Sequence, residues 1–188
     1  MNINEAIEKI SSSNDLEKEE IKKVFLSIMK NECNDAEIIS FLMTLKTKGE
    51  SVGEITGAAE VMREMSQKLE LPSDNLVDTC GTGGDGQNTF NISTASAIVA
   101  AAAGVKIAKH GNKSISSKSG SADLLEHAGI NIDLDENQSK KCFEDHGITF
   151  MFAPKYHKAM KNVAKVRKSI KTRTIFNVLG PLSNPANA

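Results

Sequence analysis

The stretch that most limits how this chain can fold is Asp78-Thr-Cys-Gly-Thr-Gly-Gly-Asp-Gly-Gln-Asn-Thr-Phe-Asn-Ile-Ser-Thr94. It follows a short apolar run, Leu76-Val77, and leads into an alanine-rich segment, Ala95 to Ala103. Four glycines in six positions, from Gly81 to Gly86, let the backbone approach another group closely and reach positive φ without a Cβ penalty. Polar side chains then gather where a helix begins, at Asn91, Ser93 and Thr94. Free N–H groups at a helix start, next to a glycine loop, form an anion site, most often for phosphate. A strand, a glycine loop and a helix in that order therefore predict an α/β layer that holds a phosphorylated small molecule.

The flanking sequence extends this reading. Before the loop, Asn2-x-x-Glu5, Asn14-x-x-Glu17, Asn34-x-x-Glu37 and Ser51-x-x-Glu54 each place a capping side chain three residues ahead of a Glu. Apolar residues recur at helical spacing behind them: Ile21, Val24, Phe25, Ile28 and Met29, then Ile38, Ile39, Leu42, Met43 and Leu45, then Ile55, Ala58, Ala59, Met62 and Met65. Residues 1–72 are thus predicted to form a small helical domain, with no site chemistry, that packs or dimerises. Leu71-Pro72-Ser73-Asp74 reads as a linker. Residues 73–188 alternate strands and helices: strand 76–79, helix 93–103 closed by Gly104, strand 105–108, helices 121–127 and 136–145, strand 148–152, and a helix from Pro154 towards Arg167. That alternation predicts a largely parallel sheet. The helix from Ala95 is apolar nearly all round and is expected to be buried. Thr174 to Pro185 reads as a strand-like run and a Gly-Pro turn, after which the α/β domain looks interrupted.

Composition excludes several classes. The hydrophobic share of 39% and charged share of 25% are ordinary for a globular chain, and no apolar run reaches membrane-spanning length. The N-terminus lacks a signal-peptide layout. Cys33, Cys80 and Cys142 are odd in number and far apart, which favours a reducing, cytoplasmic setting over a disulfide framework. Of the 23 Lys/Arg and 24 Asp/Glu, residues 1–75 hold 9 and 15, leaving 14 and 9 for residues 76–188. The more basic second part suits an anionic ligand. One Tyr and no Trp argue against an aromatic stacking platform for single-stranded nucleic acid.

The glycine spacing also satisfies G-x-G-x-x-G, but a dinucleotide fold needs its helix to open at the glycines and an acid at the end of the second strand. Here the helix starts later and the second strand ends in Lys109-His110. No Gly-Lys-Ser/Thr follows, so a P-loop is excluded too. A second polar element, Lys109-His-Gly-Asn-Lys-Ser-Ile-Ser-Ser-Lys-Ser-Gly-Ser121, begins at a strand end, where ligands bind in open α/β sheets. It brings Lys109 and Lys113 together with hydroxyls at Ser114, Ser116, Ser117, Ser119 and Ser121. His110 alone is read as a structural hydrogen-bonder. Lys155, Lys158, Lys161, Lys165 and Lys168 form a stripe read as a solvated face. Arg167 lies off that stripe and is free to point inward with a planar fork suited to a carboxylate.

Five stretches, Asp78–Gly86, Asn88–Ala95, Lys109–Asn112, Ser116–Asp123 and Arg173–Pro185, together resemble the anthranilate phosphoribosyltransferases of tryptophan biosynthesis, over the whole chain. The resemblance implies a nucleoside-phosphorylase-like fold, Mg²⁺ dependence and a homodimer formed through the helical domain. It implies transfer of phosphoribose from 5-phosphoribosyl-1-pyrophosphate to the amine of anthranilate, with no membrane or nucleic-acid partner. Gly81, Gly84, Asp85, Thr89, Asn91, Ile92, Ser93 and Thr94 would line the phosphoribosyl pyrophosphate, as would Lys109, His110, Gly111, Asn112, Lys113, Ser114, Ser116, Ser117 and Ser121. Ser93 would hold Mg²⁺, and Lys109 and Asp85 would stabilise the leaving group. Anthranilate would meet Gly81, Asn112 and Arg167, with His110, Ala153 and His157 nearby. The family continues beyond the Leu-Gly-Pro-Leu-x-Asn-Pro stretch with an acidic pair that binds magnesium, so these 188 residues are expected to be weak or inactive alone. Two other readings remain: a pyrimidine nucleoside phosphorylase-like enzyme, and a non-catalytic relative that binds nucleic acid through the basic helix.

Overall fold

The computed structural model describes residues 1–81, 90–114 and 119–188. The chain divides into two compact units: Met1–Met65 with His157–Ser183, and Ser66–Tyr156 with Asn184–Ala188. Where the sequence pattern draws one boundary after residue 72, the packing returns residues 157–183 to the helical unit.

In the helical unit, α1 (Ile3–Ser11), α2 (Lys18–Met29), α3 (Asp35–Lys48) and α4 (Val52–Met65) start largely where their caps dictate. Asn2 and Glu5 exchange side-chain-to-backbone bonds at 2.9 Å in each direction. Asn34 with Glu37 and Ser51 with Glu54 repeat the arrangement. Asn14 does not cap α2; the helix begins after Glu17, whose N–H donates to Glu20 Oε2 at 2.8 Å. The core gathers Ile10, Ile21, Phe25, Ile28, Phe41 and Leu45 with Val163, Val166, Ile175, Phe176 and Leu179 from the returning segment.

That segment corrects two expectations. The helix from Pro154 is not continuous: α8 (Ala153–Tyr156) belongs to the other unit, His157 leaves helical geometry at φ −110° and ψ 61°, and a 3-10 turn (Lys158–Met160) precedes α9 (Lys161–Ile170). The lysine stripe is accordingly split; Lys155 binds the Leu134 carbonyl and Asp133 within its own unit. The strand-like run at Thr174 is a helix, α10 (Ile175–Leu182). Thr174 N–H donates to Asn177 Oδ1 at 3.0 Å, and Ile175, Phe176 and Leu179 are buried on one face. Burial against the helical core overrides the β-leaning local composition.

In the second unit, β1 (Ile107–Gly111) pairs in parallel with β2 (Ile148–Phe152), Lys109 opposite Phe150. The expected strand at 76–79 shrinks to a single parallel bridge, Val77 to Ile107. Around these strands lie α5 (Ile92–Ala102), α6 (Ser121–His127) and α7 (Glu136–His146). Gly104, at φ 94°, closes the α5 end as expected. The expected burial of α5 does not hold: only Thr94 and Ala97 are buried, while Ile92, Ile98 and Val99 are 50%, 48% and 69% exposed. The described elements cover one side of that helix. No helix among the described residues is long and apolar enough to cross a membrane.

Candidate functional site

The site is built at the carboxyl ends of the parallel strands. Leaving the Val77 bridge, the chain places Asp78, Thr79 and Cys80 beside Lys109 and His110 of β1. Asp78 Oδ1 accepts from Cys80 N–H at 2.9 Å and from His110 N–H at 3.2 Å. Its Oδ2 accepts from Asn184 Nδ2 at 2.8 Å. Thr79 Oγ1 donates to the Ser93 carbonyl at 2.7 Å and accepts from Lys109 Nζ at 3.1 Å. A hydroxyl thus ties the ammonium to the first turn of α5.

Lys109 is only 2% exposed, and burial lowers its pKa against the opposing influence of Asp78. Burial raises the Asp78 pKa, while the Asn184 hydrogen bond and then Lys109 pull it back. Among the described residues, Thr79 takes one of the three donors an ammonium carries. Lys109 is therefore a charge already stripped of most of its water and held at a strand end.

The start of α5 faces the same chemistry. Asn91 Oδ1 accepts from Thr94 N–H at 3.0 Å and from Ser93 Oγ at 3.1 Å. Thr94 is 1% exposed and its hydroxyl has no partner among the described residues. A buried hydroxyl without a partner costs free energy unless a ligand completes it. Ile92, expected at the site, contributes its backbone position; its side chain is half exposed.

The second loop is drawn together at its neck. Asp123 Oδ2 accepts from both Ser114 N–H and Gly120 N–H at 2.8 Å, and Asn112 O accepts from Ala122 N–H at 3.2 Å. A Cβ at Gly120 would lie 2.5 Å from Ser114 N and 2.7 Å from Asn112 O, so only glycine permits this approach. A Cβ at Gly111 would meet the Phe150 ring at 2.8 Å. Ser121 begins α6, as the sequence predicts. Lys113 extends to Glu126 at 2.8 Å, with both side chains largely exposed. Gly84, Asp85, Thr89, Ser116 and Ser117 lie outside the described residues.

Gly81, His110, Asn112 and Ala153 thus belong to the α/β unit, and His157 and Arg167 to the helical unit. Arg167 stacks over the Phe176 ring at 5.5 Å, half-buried, as its place off the lysine stripe anticipates. His157 is buried in a small apolar cavity with Met29, Met62, Met65, Ala159 and Met160.

Magnesium prefers hard oxygen ligands. Ser93 Oγ, with its proton engaged by Asn91, offers one such oxygen among the described residues. Asp78, Cys80 and His110 also cluster, with potential ligand atoms within 4.8 Å. That trio does not suit magnesium: the carboxylate is committed to three donors and burial pushes the Cys80 thiol up to about 11.

Reasoning from sequence passed over Asp78, Thr79 and Asn184. The signals were present as an Asp directly after an apolar run and an Asn fixed before a proline.

A buried cation at a parallel-strand end, a capped helix start whose Thr94 hydroxyl has no partner among the described residues, and a polar loop cinched by glycine mark the α/β unit of a chain that also carries a helical bundle. Residues 4–66 match the model "Glycosyl transferase family, helical bundle domain" and residues 73–188 match "Glycosyl transferase family, a/b domain", so the chain belongs to that glycosyl transferase family. It is 54% identical over 184 residues to anthranilate phosphoribosyltransferase of Clostridium kluyveri, covering 98% of this chain and 55% of that protein. The corresponding protein of Thermoanaerobacter sp. is 56% identical over 98% of this chain and 54% of its own length. The solved enzyme of Thermus thermophilus superposes with a TM-score of 0.89 at 42% identity, over 96% of this chain and 55% of its own. That of Saccharomyces cerevisiae, solved with PRPP and Mg, gives 0.88 at 34% identity, over 97% and 55%. The chain spans about half the length of the curated relatives it matches.

Proposed function

We propose that this chain forms the phosphoribosyl-pyrophosphate-recognising part of an anthranilate phosphoribosyltransferase. The reaction joins the amine of anthranilate to C1 of the ribose, giving N-(5-phosphoribosyl)anthranilate and pyrophosphate, the second step from chorismate to tryptophan. The observation that carries this reading is the buried Lys109 ammonium, linked through the Thr79 hydroxyl to the first turn of α5, where the Thr94 hydroxyl has no partner among the described residues. The relatives of this name, and the yeast enzyme solved with PRPP and Mg, support it.

In this reading Lys109 meets the pyrophosphate. Most of its water is already gone before the ligand arrives, so its charge acts strongly as the leaving group gains negative charge. Backbone N–H groups at the α5 start and the Thr94 hydroxyl donate to phosphate oxygens, and Asn112, Lys113 and Ser121 follow the sugar phosphate. Ser93 would be one ligand of Mg²⁺, which when bound neutralises pyrophosphate oxygens. Within the α/β unit, Asn112 helps place the anthranilate ring, with Gly81, His110 and Ala153 at the same end. The sugar becomes oxocarbenium-like, so the amine needs positioning more than a strong base. The helical unit would supply a homodimer contact, and a biosynthetic enzyme with three free cysteines fits the cytoplasm.

The test follows anthranilate fluorescence after adding phosphoribosyl pyrophosphate and Mg²⁺. It is run with the chain alone and with the remaining length of the Clostridium kluyveri relative supplied as a second polypeptide. Consumption in the complemented sample is expected. Phosphorolysis of thymidine or uridine, with anthranilate untouched, would assign the site to a nucleoside phosphorylase instead.

A further inference from the structure

Asn184 is wholly buried, and every polar atom of its amide is engaged. Nδ2 donates to Asp78 Oδ2 at 2.8 Å and to the Ala108 carbonyl at 2.9 Å, while Oδ1 accepts from Ala186 N–H at 2.8 Å. The carboxylate it grips is the one whose other oxygen holds the N–H groups of Cys80 and His110. One amide and one carboxylate therefore clamp three stretches together: the entry to the glycine loop, the end of β1, and the segment Asn184–Ala188. Complete burial and three hydrogen bonds leave the amide little freedom to turn. Lys109 sits between the two β1 residues that the clamp holds, Ala108 and His110.

We propose that Asn184 is a positioning residue for pyrophosphate: by orienting the Asp78 carboxylate it sets both the place and the charge of Lys109. The proposal rests on the phosphate-binding reading above. Asn184 touches no ligand; it acts through Asp78. Among the described residues, the charged and titratable groups around Asp78 are Lys109, Cys80 and His110, and Lys109 carries the charge that a pyrophosphate would meet. Without the amide donor, Asp78 takes up a proton more readily, the backbone N–H groups of Cys80 and His110 lose a fixed acceptor, and Lys109 loses its counter-charge.

Asn184→Ala removes both donors, whereas Asn184→Asp replaces a donor by a carboxylate at hydrogen-bond distance from another. Two such carboxyls hold one shared proton until the pH rises, because they cannot both ionise easily. Isothermal titration with Mg-pyrophosphate at neutral pH should find Asn184→Ala weakened about tenfold, the loss expected for a charge-assisted hydrogen bond. Asn184→Asp should bind nearly as wild type at low pH and lose affinity as the shared proton leaves. A purely structural asparagine would give neither that opposed pH profile nor a shift at Lys109. The second measurement needs no ligand: the Lys109 ammonium, followed by NMR against pH in the free chain, should lose its proton at lower pH in Asn184→Ala. Circular dichroism establishes that each variant is folded, and Asn184→Asp at low pH covers the case in which Asn184→Ala is not. Folded variants with wild-type Lys109 titration and a wild-type pH profile would overturn the proposal. If the wild-type chain fails to bind Mg-pyrophosphate, the phosphate reading falls, and the Lys109 titration alone decides the role of Asn184.

Discussion

Replacing Lys109 with methionine separates a binding role from a structural one, because the two predict different sizes of effect. Methionine keeps the length and the apolar stem but removes the charge. A unit charge about 4 Å from a phosphate charge, at an effective dielectric constant of about 20, contributes about 4 kcal/mol. Lys109 is buried before any ligand binds, so little of this is spent on removing its water. The expected loss is therefore about 3–4 kcal/mol, or two to three powers of ten in Kd for Mg-pyrophosphate. Stability should change far less. The variant no longer buries an ammonium, and Asp78 keeps its three hydrogen-bond donors, so about 1 kcal/mol is expected in urea unfolding at neutral pH.

The pH dependence has a definite sign. Burial already holds the Asp78 pKa above its ordinary 3.8, and losing Lys109 raises it further. A carboxyl raised on folding binds more protons in the native state than in the unfolded state. Its contribution is fully present below the unfolded pKa and is lost as pH rises through the folded one. The variant should therefore lose more stability than wild type between about pH 4 and neutrality. Calorimetry and urea titrations at both ends of that window give the two numbers. A stability loss of about 3 kcal/mol or more, matched by an unchanged Kd, would make Lys109 an ion-pair strut and refute the reasoning.

Thr94→Val should stabilise the ligand-free chain by about 1 kcal/mol, since a buried hydroxyl without a partner among the described residues becomes a methyl group, while weakening Mg-pyrophosphate about tenfold; thermal melts and calorimetry report the two. Glu54→Gln should cost about 2–3 kcal/mol in urea unfolding, because this fully buried carboxylate receives Leu16 N–H, Ser51 N–H and Lys48, and pyrophosphate affinity should not move. Cys80 should react slowly with iodoacetamide at pH 8 and faster as pH climbs, since its thiol is held near 11; mass spectrometry on a tryptic digest gives the rates.

Local chemistry made much of the fold readable. Asn2, Asn34 and Ser51 cap where an oxygen acceptor and a glutamate three residues on can trade bonds, and Gly104 and Gly147 end helices at positive φ. The readings failed where distant partners decide. Thr174 to Leu182 has strand-like residues, but its apolar face belongs to a helical core assembled from the first 65 residues. Glu17 opens α2 although glutamate is a poor cap, since its N–H is taken up by Glu20. At the site, Lys109 and Thr94 were legible from type and position. Asn184 was not, because its partners lie 76 and 106 residues away in sequence.

The uncovered side of α5 matters before the protein is ever at equilibrium. Synthesis runs from Met1 onward, so Ile92, Ile98 and Val99 leave the ribosome before β1 and β2 exist, and those strands leave them half exposed or more. An apolar ridge of this kind on a newly made chain is where holdase chaperones bind and where copies stick to one another. How quickly that ridge is covered then adds to the free energy of unfolding in setting how much of the chain escapes aggregation.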